Sequence, residues 1–283
     1  MKELEGAQLD ERLRAFLSED VGRIDVTTEA TVPPGTRTRG ELVAKSECVV
    51  SGLPVARRVF ELLDPDLAWE EAAAAGAEVA PATPLAYLSG RARAILTAER
   101  VALNLLQRMC GIATATRRFV EAVHGTGCRV LDTRKTAPGL RPFDRRAVCD
   151  GGGVNHRYDL TEMVLIKDNH RRLAGGVARA VAAARSGAPG TPIEVEVESE
   201  AELSEALAAG ADRILIDNQS PETVARWCAI ARKEKAPPFL EASGNMRLDT
   251  VRAYALAGAD AVSVGALTHS VAAADVSLEL FTA

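Results

Sequence analysis

The feature that most constrains this chain begins beyond Thr126, where short β-branched strands alternate with Ala-rich helical stretches. Strands are expected at Arg129 to Asp132, Met163 to Ile166, Ile193 to Val197, Arg213 to Ile216, Phe239 to Ala242 and Ala261 to Val264. Helices such as Glu200 to Ala209, Pro221 to Lys233 and Leu248 to Ala257 fit between them. That order is the signature of a parallel βα array. No G-x-G-x-x-G turn accompanies it, so an α/β fold with a closed or nearly closed barrel is favoured over a doubly wound sheet.

Each expected strand runs apolar and then meets functional groups: Asp132-Thr133-Arg134-Lys135, Lys167-Asp168-Asn169-His170, Glu196 and Glu198, Asp217-Asn218, Glu241 with Ser243-Gly244, and Gly265. In a barrel those carboxyl ends converge on one mouth, where active sites are built. A solvated loop charge is the bland reading of any one of them. Strand after strand repeating it points to a site. Ile193 to Glu198 alternates strictly, so its glutamates share one face and its apolar residues the other. If the apolar face meets helices, the acids point into the barrel and need cations or a metal, with Lys135, Lys167 and magnesium as candidates. An exposed edge strand with a decorated outer face is the competing reading.

The region Thr133 to Arg157 is basic instead, with Arg134, Lys135, Arg141, Arg145, Arg146, His156 and Arg157 around Gly151-Gly152-Gly153. Guanidinium forks hold planar carboxylates bidentately, so arginines near His156 suit a small polycarboxylate or phosphorylated substrate. The adjacent Arg145 and Arg146 are expected to be solvated. Ser243-Gly244-Asn245 precedes a helix, and Gly265-Ala266 precedes an expected helix Leu267 to Ala274. Small residues there leave backbone N–H groups open to a phosphate, with plain turns as the alternative.

The first part of the chain has a different texture. Short β-like runs at Gly40 to Lys45, Cys48 to Gly52 and Leu85 to Ser89 surround one helix, Pro54 to Leu63, as in a small α+β domain. A long helical stretch follows from Leu96, which Gly111 is expected to break or bend. Met1 to Leu17 mixes charges with single apolar residues and reads as a short amphipathic helix, neither a signal peptide nor a membrane span. A net charge of -5 argues against a broad basic surface for nucleic acid or anionic membrane, so any anion site is local. Five scattered cysteines without a C-x-x-C pair suggest buried thiols in a reducing cytoplasm.

Taken together, Asp132 to Arg141 (DTRKTAPGLR), Gly151 to Arg157 (GGGVNHR), Leu165 to His170 (LIKDNH), Glu194-Val195-Glu196, Leu215 to Asn218 (LIDN), Glu241 to Gly244 (EASG) and Ser263-Val264-Gly265 resemble the quinolinate phosphoribosyltransferase family, in the family's order. The likeness extends from Glu19-Asp20 and Asp25-Val26-Thr27 through Glu99-Arg100 and Asn104 to Phe281. Ile24 departs from it, standing where the family usually shows glycine. The resemblance implies an α/β sandwich over residues 1–105 completed by the tail 270–283, an incomplete α/β barrel over 106–269, and a homodimer whose subunits share active sites.

It also implies roles. Arg134, His156, Arg157 and Lys167 would hold the carboxylates of quinolinate, with Thr133 and Lys135 nearby and Arg100 coming from the neighbouring subunit. Glu196 and Asp217 would face the ribose and the magnesium pyrophosphate of phosphoribosyl pyrophosphate. Ser243, Gly244, Asn245 and Gly265 would cradle the 5-phosphate. Lys135, Lys167, Glu196 and Asp217 form the expected catalytic set, and Glu196 and Asp217 the expected metal set. The implied reaction gives nicotinate mononucleotide, pyrophosphate and carbon dioxide in a cytoplasmic step of NAD biosynthesis. Three alternatives share parts of this pattern: the paralogous family found with molybdenum transport, a Schiff-base barrel aldolase using Lys135 or Lys167, and a non-catalytic anion-binding barrel.

Overall fold

In this computed structural model the described residues are 6–281, so the start of the expected helix at Met1 to Leu17 lies outside them. In chain order the elements are α1 (Gly6–Val21), α2 (Val26–Thr31), β1 (Arg37–Ala44), β2 (Cys48–Val49), α3 (Leu53–Leu63), β3 (Ala68–Glu71), β4 (Glu78–Val79), β5 (Pro84–Arg91) and α4 (Ala92–Ala122). They continue with β6 (Arg129–Leu131), α5 (Arg141–Asp150), β7 (Val164–Ile166), α6 (Asp168–Ala174), α7 (Val177–Gly187), β8 (Ile193–Val197), α8 (Glu200–Ala208) and β9 (Arg213–Asp217). Last come α9 (Pro221–Ala231), β10 (Phe239–Ser243), α10 (Val251–Leu256), β11 (Ala261–Ser263), α11 (Ala266–His269) and β12 (Val276–Phe281).

The chain divides into two compact units. Among the described residues, one holds 6–117, 136–152 and 270–281, the other 118–135 and 153–269. In the first, an antiparallel sheet runs in the order β12-β1-β5-β3. The late strand β12 therefore completes a sheet begun by β1. Leu9, Leu13 and Leu17 recur every four residues along one face of α1 and are buried. With Val59 and Phe60 of α3 and Ile95, Leu106 and Met109 of α4 they form a core in which each large side chain contributes about 2 kcal/mol. From α5, the buried Asp144 is gripped by both arms of Arg108 at 2.7 and 2.8 Å.

Gly111 does not break the long helix as expected. It lies inside an uninterrupted α4, where a Cβ would stand 2.1 Å from the carbonyl oxygen of Ala272. The glycine serves a close backbone approach, which outweighs the propensity lost in a helix interior.

In the second unit the sheet order is β6-β11-β10-β9-β8-β7, all parallel, so the first strand lies beside the last as a barrel requires. Between β6 and β7 in sequence, the strand-like pairing with the sheet among the described residues is an isolated bridge, Leu131 to Val154, and the barrel is incomplete. Ile193, Val195, Val197, Ile214, Ile216, Leu240, Ala242 and Val262 are buried, as are Val181, Leu203, Val224, Trp227 and Val251 of the helices. Ser199 and Ser220 cap α8 and α9, fixing short strand-to-helix turns. Among the described residues, no helix is long and apolar enough to cross a membrane.

Candidate active site

The mouth of the barrel is built where its strands run out. Lys167 follows β7, and its Nζ forms an ion pair with Glu196 of β8. Glu196 lies opposite Leu215 in register, and Asp217, two residues further along β9, lies opposite Ser243 of β10. The Asp217 carboxylate accepts a hydrogen bond from Asn218 Nδ2 at 2.6 Å. The turns after β9 and β10 interlock. The Asn218 N–H donates to Ser243 O at 3.0 Å, and a Cβ on Gly244 (φ 102°) would stand 2.3 Å from Asn218 Oδ1, so glycine is required there. Asn245 next to it adopts the left-handed conformation, φ 46°.

Lys135 reaches the same end of the barrel because β6 pairs with β11. Its N–H donates to Thr133 Oγ1 at 3.1 Å, and its carbonyl accepts from Thr268 Oγ1 at 2.9 Å. Its side chain lies beside Gly265, with Cδ 3.2 Å from where a Cβ would stand. Arg134 and Arg157 are both half-buried. Burial, then the nearby charge of Arg134, pulls the Arg157 guanidinium below its ordinary range. Two cations placed so that they repel suit a ligand carrying more than one negative charge.

Beneath these groups the barrel interior is charged. Glu194 and Glu241 are 0% and 1% exposed. Arg213 bridges them, Nε 3.1 Å from Glu194 and Nη2 3.0 Å from Glu241, while its guanidinium stacks 4.2 Å from the centroid of Phe239. His156 Nε2 lies 3.0 Å from Glu194 Oε2 and 3.4 Å from Glu241 Oε2. Burial disfavours the imidazolium, and against burial alone the two carboxylates would push His156 up to about 9. The Arg157 N–H, 2.8 Å from Nδ1, acts in the opposite sense. Protonating that nitrogen would set two donors face to face, so the contact decides for the Nε2–H tautomer. Burial works against the Glu241 carboxylate too, yet His156 and Arg213 hold it below its usual range.

Several expectations change here. The glutamates of β8 do face inward, but Glu194 is paired with Arg213 and accepts a hydrogen bond from His156 rather than meeting a lysine or magnesium. Glu241 lies in mid-strand, 1% exposed, with its carboxylate held by His156 and Arg213 and not open at the mouth. Both ring nitrogens of His156 are engaged by the protein. The helix after Gly265 is four residues long, ending at His269 instead of Ala274, because the chain then leaves for β12. Arg145 and Arg146 are half-buried, and Arg146 pairs with Asp150 at 2.8 Å, one helical turn away. Arg100 is exposed on α4 in the first unit. Arg213 stands outside the expected site residues because an arginine opening a strand looks like surface. Its register opposite Glu194 is the signal that could have found it.

The model of the quinolinate phosphoribosyl transferase N-terminal domain matches residues 25–110, and that of the C-terminal domain matches residues 112–279. The chain belongs to the quinolinate phosphoribosyltransferase family. Within that family it is 42% identical over 276 residues to the nicotinate-nucleotide pyrophosphorylase (carboxylating) of Mycobacterium leprae, covering 95% of each chain. It is 39% identical over 262 residues to the probable nicotinate-nucleotide pyrophosphorylase (carboxylating) of a Synechocystis strain, covering 91% of this chain and 88% of that one. The crystal structure of NadC from Streptococcus pyogenes superposes with a TM-score of 0.92 at 39% identity, covering 97% of this chain and 96% of that one. The likeness to these quinolinate phosphoribosyltransferase relatives thus runs through both compact units.

Proposed function

We propose that this chain transfers the phosphoribosyl group of phosphoribosyl pyrophosphate to quinolinate with decarboxylation, producing nicotinate mononucleotide, pyrophosphate and carbon dioxide for NAD biosynthesis. The observation that carries the reading is the division of charge around one barrel mouth. Arg134, Lys135, Arg157 and Lys167 follow β6, the Val154 bridge and β7, while Glu196 and Asp217 stand on β8 and β9. The cationic side suits a planar dicarboxylate. The acidic side suits a ribosyl carbon that gains positive charge as pyrophosphate departs.

Arg134 and Arg157 hold the quinolinate carboxylates and aim the pyridine nitrogen at the ribosyl carbon, with Thr133 fixing the turn that presents Lys135. Ser243, Gly244, Asn245 and Gly265 offer backbone donors to the 5-phosphate. Glu196 and Asp217 stabilise the ribosyl cation, and Lys135 and Lys167 balance the leaving pyrophosphate. The new nitrogen–carbon bond makes the ring cationic. The carbon-2 carboxylate then leaves as carbon dioxide, its bonding electrons remaining beside the positive nitrogen until carbon 2 takes up a proton.

Magnesium fits as a ligand of the substrate more than of the protein. Among the described residues, the group of three or more side chains able to ring a cation is His156, Glu194 and Glu241, which Arg213 already bridges. Glu196 and Asp217 offer carboxylate oxygens at the mouth, the usual share for magnesium bound through phosphates. When bound there, magnesium neutralises the pyrophosphate. Arg100 is read as completing the site of a second copy, which makes the enzyme a homodimer. Five cysteines, none in a disulfide, support a cytoplasmic setting.

The test is incubation of the purified protein with quinolinate, phosphoribosyl pyrophosphate and magnesium, following nicotinate mononucleotide and released carbon dioxide. Nicotinate in place of quinolinate should be turned over at least ~100-fold less efficiently, since cations paired with the missing carboxylate are left exposed. Equal rates with both acids, or no mononucleotide, would reject the assignment. Borohydride trapping of a lysine adduct with a carbonyl compound would favour the aldolase reading instead.

A further inference from the structure

The buried charges below the mouth are not explained by stability alone. Two carboxylates buried in a barrel and bridged by a half-buried guanidinium are expensive to desolvate, and a well-packed apolar core is as stable or more so. Here their hydrogen bonds converge on one ring. Glu194 Oε2 and Glu241 Oε2 both face His156 Nε2, which must therefore carry the proton, and Arg213 holds the two carboxylates together from the opposite side. Nδ1 is left as an acceptor, and the backbone N–H it receives is that of Arg157. The peptide is clamped from its other end by the buried Asp132, whose Oδ1 accepts the His156 N–H at 2.7 Å. Arg157 Nη1 then donates to Met163 O at 2.8 Å, fixing the reach of the guanidinium.

We propose that Glu194, Glu241 and Arg213 are positioning residues for the carboxylate-binding side of the mouth, acting through His156 to hold Arg157 in place. A carboxylate behind an imidazole selects its tautomer and orients it, and the same logic extends to whatever the far nitrogen holds. His156 is then a spacer between the barrel floor and Arg157, with no ring nitrogen left for substrate. The substrate readout below rests on the quinolinate reading; the spectroscopic one does not.

The test uses the full-length enzyme with histidine labelled by nitrogen-15, in wild type, Glu241→Gln, Arg213→Lys and the charge-neutral double variant Glu194→Gln/Arg213→Met. In wild type, His156 should show a protonated Nε2 and an unprotonated Nδ1, and a protonated Nδ1 would overturn the proposal outright. In folded Glu241→Gln and in the double variant, the KM for quinolinate should rise about tenfold or more, while the KM for phosphoribosyl pyrophosphate stays within about twofold. Arg213→Lys, keeping the charge, should fall between wild type and the double variant. Equal changes in both KM values, or none, in variants with wild-type melting would mean that the network is structural only. Should the variants not fold, the wild-type tautomer still decides. Should wild type not turn over quinolinate, the function fails while the wild-type tautomer still tests the network.

Discussion

Lys135 lies across Gly265, its Cδ 3.2 Å from the point where a β-carbon would stand, so a cation and a glycine at neighbouring strand ends share one small space. In Gly265→Ala the new methyl would press on Lys135 and on His269, both able to yield because the nearest atoms belong to their side chains. The KM for phosphoribosyl pyrophosphate should rise about fivefold, with stability changed by less than about 1 kcal/mol. Steady-state kinetics with each substrate varied, beside a urea melt, would check this. An unchanged KM would remove Gly265 from the phosphate-binding set.

Gly111→Ala tests the opposite situation, a glycine facing rigid backbone. Alanine is the better helix former by about 1 kcal/mol, yet its methyl would meet the Ala272 carbonyl oxygen at 2.1 Å. Overpacking should win, with a net loss of about 3 kcal/mol in chemical denaturation. A stabilised variant would show that the approach of α4 to residues 272–273 is absent in solution.

Asp64 gives a pH dependence with a definite sign. Its carboxylate is 1% exposed and accepts the backbone N–H of Arg91 at 2.7 Å and Nε at 3.0 Å. Burial opposes the charge, but these bonds outweigh it and hold the group below the usual carboxylate range. A depressed folded pKa stabilises above the unfolded value of about 3.9, and that contribution is lost as pH falls through the folded value. Asp64→Asn should therefore be less stable than wild type by about 1 to 3 kcal/mol at pH 7, with the gap closing below about pH 4. Urea melts across that range would show it, and a gap independent of pH would exclude the charge as its source.

Metal removal and Glu196→Gln should act at one place. Chelation should abolish turnover, and added magnesium should restore it. Glu196→Gln should lower kcat about 100-fold while quinolinate binding, followed by equilibrium titration, changes much less. Full activity in excess chelator would discard magnesium from the reaction.

The proposed sharing of active sites predicts complementation. Arg100→Ala and Lys167→Ala homodimers should each be nearly inactive, and subunit exchange between them should return roughly a quarter of wild-type activity, because half the dimers are mixed and half of their sites intact. Verified exchange with no recovery would assign Arg100 to its own subunit's site or to none.

How much of this was legible in the sequence follows from what periodicity can encode. The alternation of Ile193 to Glu198 announced an interior strand, and Ile193 to Val197 is buried throughout between β7 and β9. The strand-end groups Lys167 and Glu196 were legible for the same reason, and the structure brings them into an ion pair. Gly111 was misread because a helix pattern carries no trace of a backbone segment arriving from residues 272–273. Glu241 reads as a mouth residue because proximity to a strand end says nothing of which groups the carboxylate meets, here His156 and Arg213. The link from Arg213 through Glu194, Glu241 and His156 to Arg157 is hidden because its members are scattered over four separate segments.

The pairing of β1 with β12 has a consequence for how the molecule is made. Gly40 finds its partner Leu280 only after every strand of the barrel has been synthesised. The barrel strands are complete while the first sheet still lacks its edge, so during translation the earlier-made unit is the later one to finish. Until then β1 presents an open edge to whatever nascent chain or chaperone is near, and the interval is set by the speed of the ribosome over the barrel's codons.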